Sequence, residues 1–175
     1  AEECQGLDMV NLRELQNSTE PSYEKQLFRL KNKGLSTSNI EEAVTKVSDH
    51  VINGKQSLVI YGEPQSGKTE MMICLTSKLL DNGFKCIVIL ITDSLDLLTQ
   101  NQTRFRMAGI TPPPKTLEEV IQNSDQIGKN KSPVVVFCKK NSKDLEKLIQ
   151  EDARALRVLL IELFPSDLPS EDKTL

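Results

Sequence analysis

Residues 62–69 constrain this chain more than any other segment. They read Gly62, Glu63, Pro64, Gln65, Ser66, Gly67, Lys68 and Thr69, which fits G-x-x-x-x-G-K-[ST] at every fixed position. In such a loop the glycines permit a tight turn whose backbone N–H groups converge on an anion. Lys68 supplies a cation for the β- and γ-phosphates of a nucleotide, and the Thr69 hydroxyl is a ligand for the Mg²⁺ that bridges them. The flanks agree with the motif. Ser57 to Tyr61 is a short apolar, β-branched run of the kind that forms a buried strand. Residues 69–81 place apolar side chains at helical spacing, so a helix starts as the loop ends and turns its positive dipole end to the phosphates.

The rest of the chain extends this unit. Residues 1–35 are polar and mixed, with short helical stretches at Asn11 to Leu15 and Tyr23 to Leu30 around Pro21, and read as a loosely packed N-terminal arm. From residue 36 to 163 the pattern is that of one domain. Ser38 and Glu41 offer a capping box to a helix that buries Ile40, Ala43, Val44, Val47 and Val51 and ends at Asn53-Gly54. After the P-loop helix, Asn82-Gly83 forms a turn and Cys86 to Ile91 a strand apolar throughout, which suits a parallel sheet covered on both faces. Asp93 or Ser94 caps a helix to about Met107, and Pro112-Pro113-Pro114 breaks the chain. Thr116 caps a helix from Leu117 to Ile127, Pro133 to Cys138 is a strand, Ser142 caps a helix over 143–155, and Val158 to Ile161 is a strand. That alternation predicts an α/β fold of the P-loop NTPase class, a parallel sheet flanked by helices, with nucleotide at the carboxyl ends of the strands. Residues 164–175, with two prolines and many charges, read as a coil tail.

Composition removes several classes. A net charge of −3 gives no overall basic field, so contact with nucleic acid has to be local. Trp is absent and aromatics are 4% of residues, which leaves few platforms for stacking bases. No two of Cys4, Cys74, Cys86 and Cys138 form a C-x-x-C pair, and three fall in apolar patterns, as buried reduced thiols in a cytoplasmic protein do. The single histidine, His50, falls near a helix end and reads as a surface residue rather than a catalytic base. There is no membrane-length apolar run and no signal-peptide pattern. The chain begins at Ala1 rather than Met, as a processed, tagged or cut piece of a longer parent would.

A P-loop enzyme also needs an acid at the end of a neighbouring strand to hold Mg²⁺. Glu162, after Val158 to Ile161, has that position and is the candidate for both the metal and the catalytic role beside Lys68, although Leu163 follows where a second acid would serve. Asp93, after Ile87 to Thr92, is the other, with helix capping as its competing role. Two groups of polar residues offer phosphate contacts to a nucleic-acid backbone. One is the helix face with Gln100, Gln102, Thr103, Arg104 and Arg106, opposite Leu95, Leu98 and Phe105. The other is Lys139-Lys140-Asn141-Ser142, just beyond a strand and before a helix. A solvated helix face and an ordinary lysine-rich loop have the same composition.

The P-loop and its helix, followed by Asp81 to Lys85 leading into a strand, resemble the Z1 domain of large bacterial putative endonucleases. Leu97 to Phe105 is similar to that family's L-x-x-Q-T-x-R helix with a shifted spacing, and Val134 to Asn141 with Leu145 to Leu148 resembles its strand, lysine, asparagine and leucine-rich helix. The likeness covers about residues 38–162. It implies a RecA-like first lobe related to superfamily 2 helicases, with ATP and Mg²⁺ as cofactors and DNA as partner, the latter at Gln100, Arg104, Arg106, Lys139 and Lys140. The sequence departs from that family where Ile161 should run into two acids, and it ends before a second lobe and its arginine finger. Slow or absent turnover is therefore expected of the chain alone. Two other readings stand beside the DNA-processing ATPase. A P-loop small-molecule kinase would carry an arginine-rich lid, whereas the six arginines here are scattered. A nucleotide-gated interaction module without turnover would suit the lone acid.

Overall fold

A computed structural model of the chain describes residues 21–54, 67–123, 132–152 and 158–162, with residues 150–152 and 158–162 described by their backbone alone. The expected strand at 57–61, the loop from Gly62 to Ser66, Cys4, Leu163 and the tail lie outside these residues. The elements run α1 (Ser22–Asn32), α2 (Ser38–Ile52), α3 (Lys68–Asp81), β1 (Cys86–Ile91), α4 (Leu95–Met107), β2 (Lys115–Thr116), α5 (Leu117–Gln122), β3 (Val134–Lys139), α6 (Ser142–Asp152) and β4 (Val158–Glu162).

The strands form one parallel sheet in the order β2-β3-β1-β4. Consecutive residues of a strand point to opposite faces, and here both faces are dry. Ile87, Ile89 and Ile91 of β1 join Val135 and Phe137 of β3 against α1 to α4. Cys86, Val88 and Leu90 join Val134, Val136 and Cys138 on the other face, against Leu117, Val120 and Ile121 of α5 and Leu145 and Leu148 of α6. This double covering explains why β1 and β3 read as unbroken apolar runs. The α/β architecture with its parallel sheet is as the alternation of elements implies. No helix among the described residues is long and apolar enough to cross a membrane.

Helix α1 is not a loosely packed arm. Tyr23, Leu27 and Leu30 lie at i, i+4 and i+7 on one helix face, and all three are buried in the core beneath α3. Pro21 offers no side-chain cap to the free N–H groups of the first turn. Asp81, at the far end of α3, caps them instead: its carboxylate accepts from Ser22 N at 2.9 Å and Tyr23 N at 2.8 Å. Lys78 places its ammonium 4.7 Å from the centre of the Tyr23 ring. Replacing Asp81 with alanine removes a charged remote cap and should cost about 1–2 kcal/mol. Urea unfolding measures that loss, and circular dichroism should show reduced helix content before the global transition.

Local structure differs from expectation at three helices, in the caps of two and the length of one. Thr37, not Ser38, precedes α2, and its hydroxyl donates to the Glu41 carboxylate, which holds that acid below its ordinary range. Ser142 opens α6 as a helical residue, and the Asp144 N–H is accepted by Asn141 Oδ1 at 2.8 Å. The helix after Thr116 has the reciprocal capping box with Glu119 and ends at Gln122 with Asn123 as its C-cap, while residues 124–127 of the expected helix lie outside the described residues. The two-residue strand β2 was not foreseen. It is too short to show a period, and it forms because Lys115 and Thr116 fall in register with Val136 and Phe137.

Candidate nucleotide site

The site starts at Gly67. Its φ of +83° lies in the left-handed region, where an L side chain is strained, and nothing among the described residues lies within 4 Å of the position a Cβ would take. Its backbone conformation alone favours a glycine at this position. The turn places Lys68 as the first residue of α3, with the Met71 N–H donating to Gly67 O at 3.0 Å. Lys68, Thr69 and Glu70 are half-buried on the first turn, where unpaired N–H groups give the helix its positive end.

Two arginines from distant segments reach this turn. Arg29 of α1 pairs with the Glu70 carboxylate. Its Nε also donates to Gln26 Oε1 at 2.8 Å, and Gln26 Nε2 donates to Ala108 O at 2.9 Å, just past α4. Gln26 is buried, so one side chain ties α1, α3 and the end of α4 together. Arg104 of α4 donates to Thr69 Oγ1 at 3.4 Å. Gln26 and Arg29 were missed from sequence. The one available signal was a glutamine inside the apolar stripe of Tyr23, Leu27 and Leu30.

A second cluster stands at the carboxyl ends of β1 and β3, whose ends are in register at Ile91 and Lys139. Lys139 Nζ lies 3.7 Å from Asp93 Oδ1 and 3.6 Å from Asp144 Oδ2. Asn141 Nδ2 donates to Asp93 Oδ1 at 3.0 Å and to Asp144 Oδ2 at 3.3 Å. Asp93 is therefore not the cap of α4. That role belongs to Ser94, which accepts from Leu97 N. Glu162 ends β4 in register with Leu90, which puts its backbone at the same edge of the sheet.

The residues read as nucleic-acid contacts are divided by the structure. Gln100, Arg104, Arg106 and Lys140 are exposed, and Lys139 is half-buried. Arg106 is engaged by Pro114 O at 3.3 Å and by Glu119 at 3.8 Å. Lys139 is engaged by two acids, and Arg104 lies at Thr69. The expected faces of α4 are also redrawn. Leu98, Asn101, Gln102 and Phe105 are its buried residues, at i, i+3, i+4 and i+7, while Leu95 is 68% exposed. Gln102 is held inside because its Nε2 donates to Pro114 O at 3.2 Å.

Mg²⁺ binds protein through one or two oxygen ligands and keeps phosphate and water in its other positions. The half-buried Thr69 hydroxyl on the turn set by Gly67 fits that demand, and the backbone of Glu162, the other candidate ligand, stands at the carboxyl edge of the sheet. Cys74 and Cys138 offer no competing thiolate. Burial pushes the Cys74 and Cys138 thiols up from an ordinary 9.0 to about 11, so both are protonated at neutral pH. Because the folded pKa is the higher one, this stabilisation is complete below pH 9 and is lost as pH rises to about 11. The urea midpoint should fall over that window, and a Cys74→Ala/Cys138→Ala variant should lack much of the fall.

A family model described as type III restriction enzyme, res subunit (ResIII), matches residues 37–161, well over half of the chain. That family has a RecA-like P-loop fold and is superfamily 2 helicase-like. No curated protein and no solved structure matches the chain.

Proposed function

This chain belongs to the ResIII family of type III restriction enzyme res subunits, and from that premise we propose that it binds Mg²⁺–ATP at Gly62 to Thr69 as the nucleotide lobe of a DNA-processing ATPase. The family carries a helicase-like ATPase lobe. The finer reading, a Z1-like lobe of an endonuclease-type protein, rests on the sequence resemblance. The observation that supports nucleotide binding most directly is the left-handed Gly67, which delivers Lys68 and Thr69 together to the positive end of α3. Lys68 would neutralise the β- and γ-phosphates. Thr69 and Glu162 would hold the metal, which when bound neutralises charge on the bridged phosphates. Gln100, Arg106 and Lys140, which are exposed, are the candidates for DNA phosphate contact, and half-buried Lys139 would join them once its ion pairs open.

Calorimetry with Mg²⁺–ATP, followed by steady-state hydrolysis with and without single- and double-stranded DNA, tests this reading. Binding is expected, with turnover below roughly 1 s⁻¹, under the usual enzyme range. Glu162 is followed by Leu163, so a single acid would have to serve both the metal and the attacking water. Rapid hydrolysis abolished by Glu162→Gln would show that one acid suffices. Absence of nucleotide binding would sink the proposal. Binding with no turnover under any DNA condition would favour a nucleotide-gated interaction module.

A further inference from the structure

The first turn of α3 meets two arginines in different electrostatic states. Arg29 is neutralised by Glu70. Arg104 lies 3.4 Å from the Thr69 hydroxyl, beyond the usual 2.7–3.2 Å of a hydrogen bond from nitrogen. A neutral hydroxyl does not balance a guanidinium. Three arginines fall among the described residues: Arg29 pairs with Glu70, Arg106 pairs with Glu119, and Arg104 has no ion pair among the described residues. Glu70 is adjacent to Thr69 in sequence and would be the nearest counter-charge, but Arg29 holds it. The α1 arginine thus leaves the α4 arginine beside the P-loop threonine with its charge unspent.

We propose that Arg104 is a specificity-determining residue of the nucleotide site, whose guanidinium contacts the terminal phosphate of a nucleoside triphosphate and favours it over the diphosphate. The inference rests on the nucleotide reading above. In that reading the Thr69 hydroxyl is a ligand of the Mg²⁺ that bridges the β- and γ-phosphates. The Arg104 guanidinium, 3.4 Å from that hydroxyl, would then lie within about 5.5 Å of a metal held some 2.1 Å from the same oxygen. Two cations at that separation repel each other unless an anion lies between or beside both. A γ-phosphate supplies that anion, and its oxygens match the planar fork of arginine. A diphosphate supplies no γ-oxygen, so with it bound Arg104 gains less and still faces the metal. The residue sits on the helix that carries Gln100, so the same contact joins the phosphate end of the nucleotide to α4.

The test is calorimetric titration of the 175-residue chain and its Arg104→Ala and Arg104→Lys variants with Mg²⁺–ATP and Mg²⁺–ADP. Arg104→Ala should weaken ATP about 10-fold and ADP less than about 3-fold, with Arg104→Lys between it and wild type for ATP. The side chain is exposed, so the melting temperature of the nucleotide-free variants should match wild type. Equal weakening of both nucleotides, or no change in either, overturns the proposal. So does a fall in DNA affinity with the ATP-to-ADP ratio intact, which would make Arg104 a DNA contact. A wild-type chain that binds neither nucleotide overturns the underlying nucleotide reading, whereas wild-type binding with an unchanged Arg104→Ala ratio overturns the Arg104 proposal alone.

Discussion

Replacing Lys68 with alanine is expected to raise the dissociation constant for Mg²⁺–ATP by about 30- to 5,000-fold. That range converts a loss of about 2–5 kcal/mol, typical of removing one partner of a desolvated charge pair. The argument has a local and a global part. Locally, Lys68 follows the left-handed Gly67 and is half-buried as the first residue of α3, so its cation is positioned by backbone geometry rather than by a flexible loop. Globally, the family match covers the motif. The fold should tolerate the change. A lysine at the positive end of a helix dipole is unfavourable by about 0.3–1 kcal/mol, which offsets part of what its removal costs. The diagnostic result is lost affinity in a variant that still unfolds cooperatively. Unchanged affinity in Lys68→Ala would remove the nucleotide assignment.

Replacing Phe105 with alanine should cost about 3–5 kcal/mol of stability, a large part of the 5–15 kcal/mol typical of a domain. Phe105 and Phe137 are both fully buried and meet edge to face, with ring centroids 5.1 Å apart and planes at 89°. Such a pair contributes beyond its buried area, by about 0.5–1.5 kcal/mol. It also joins α4 to β3, so the cavity opens where α4 leans on the sheet. Urea unfolding of Phe105→Ala and Phe105→Leu should show a graded loss. A change below about 1 kcal/mol in the alanine variant would mean that α4 does not pack as described.

The contrast between β1 and α1 shows what was readable in this chain. Strand β1 is buried on both faces, and its apolar run matches its observed limits, Cys86–Ile91, because nothing distant was needed to define it. The Thr116 cap was equally legible, since a cap is a local hydrogen bond, and the structure adds Glu119 as its reciprocal partner. Helix α1 was not, because its apolar stripe includes Gln26 and its cap is a carboxylate 59 residues away. Gln102 and Leu95 were assigned to the wrong faces for a related reason. Hydropathy alone puts leucine inside and glutamine outside, but the Pro114 carbonyl supplies the partner that lets Gln102 be buried. At α6, Asn141 and Ser142 are adjacent residues that both cap well. Asn141 took the role while also bonding Asp93, which no local pattern reveals. The motif residues were legible by spacing, but their neighbours Arg29 and Arg104 come from helices far away in sequence.

The two grips of α1 on α3 have a mechanical meaning. Asp81 holds the start of α1 at one end of α3, and Arg29 holds Glu70 at the other. Fastened at both ends, α3 cannot slide along its axis or turn about it without breaking an ion pair or uncapping its neighbour. The two contacts would make the pair a stiff beam under the proposed phosphate site. α4 meets the start of α3 at Arg104 and Thr69 with no ion pair among the described residues, so that joint is the weaker of the two.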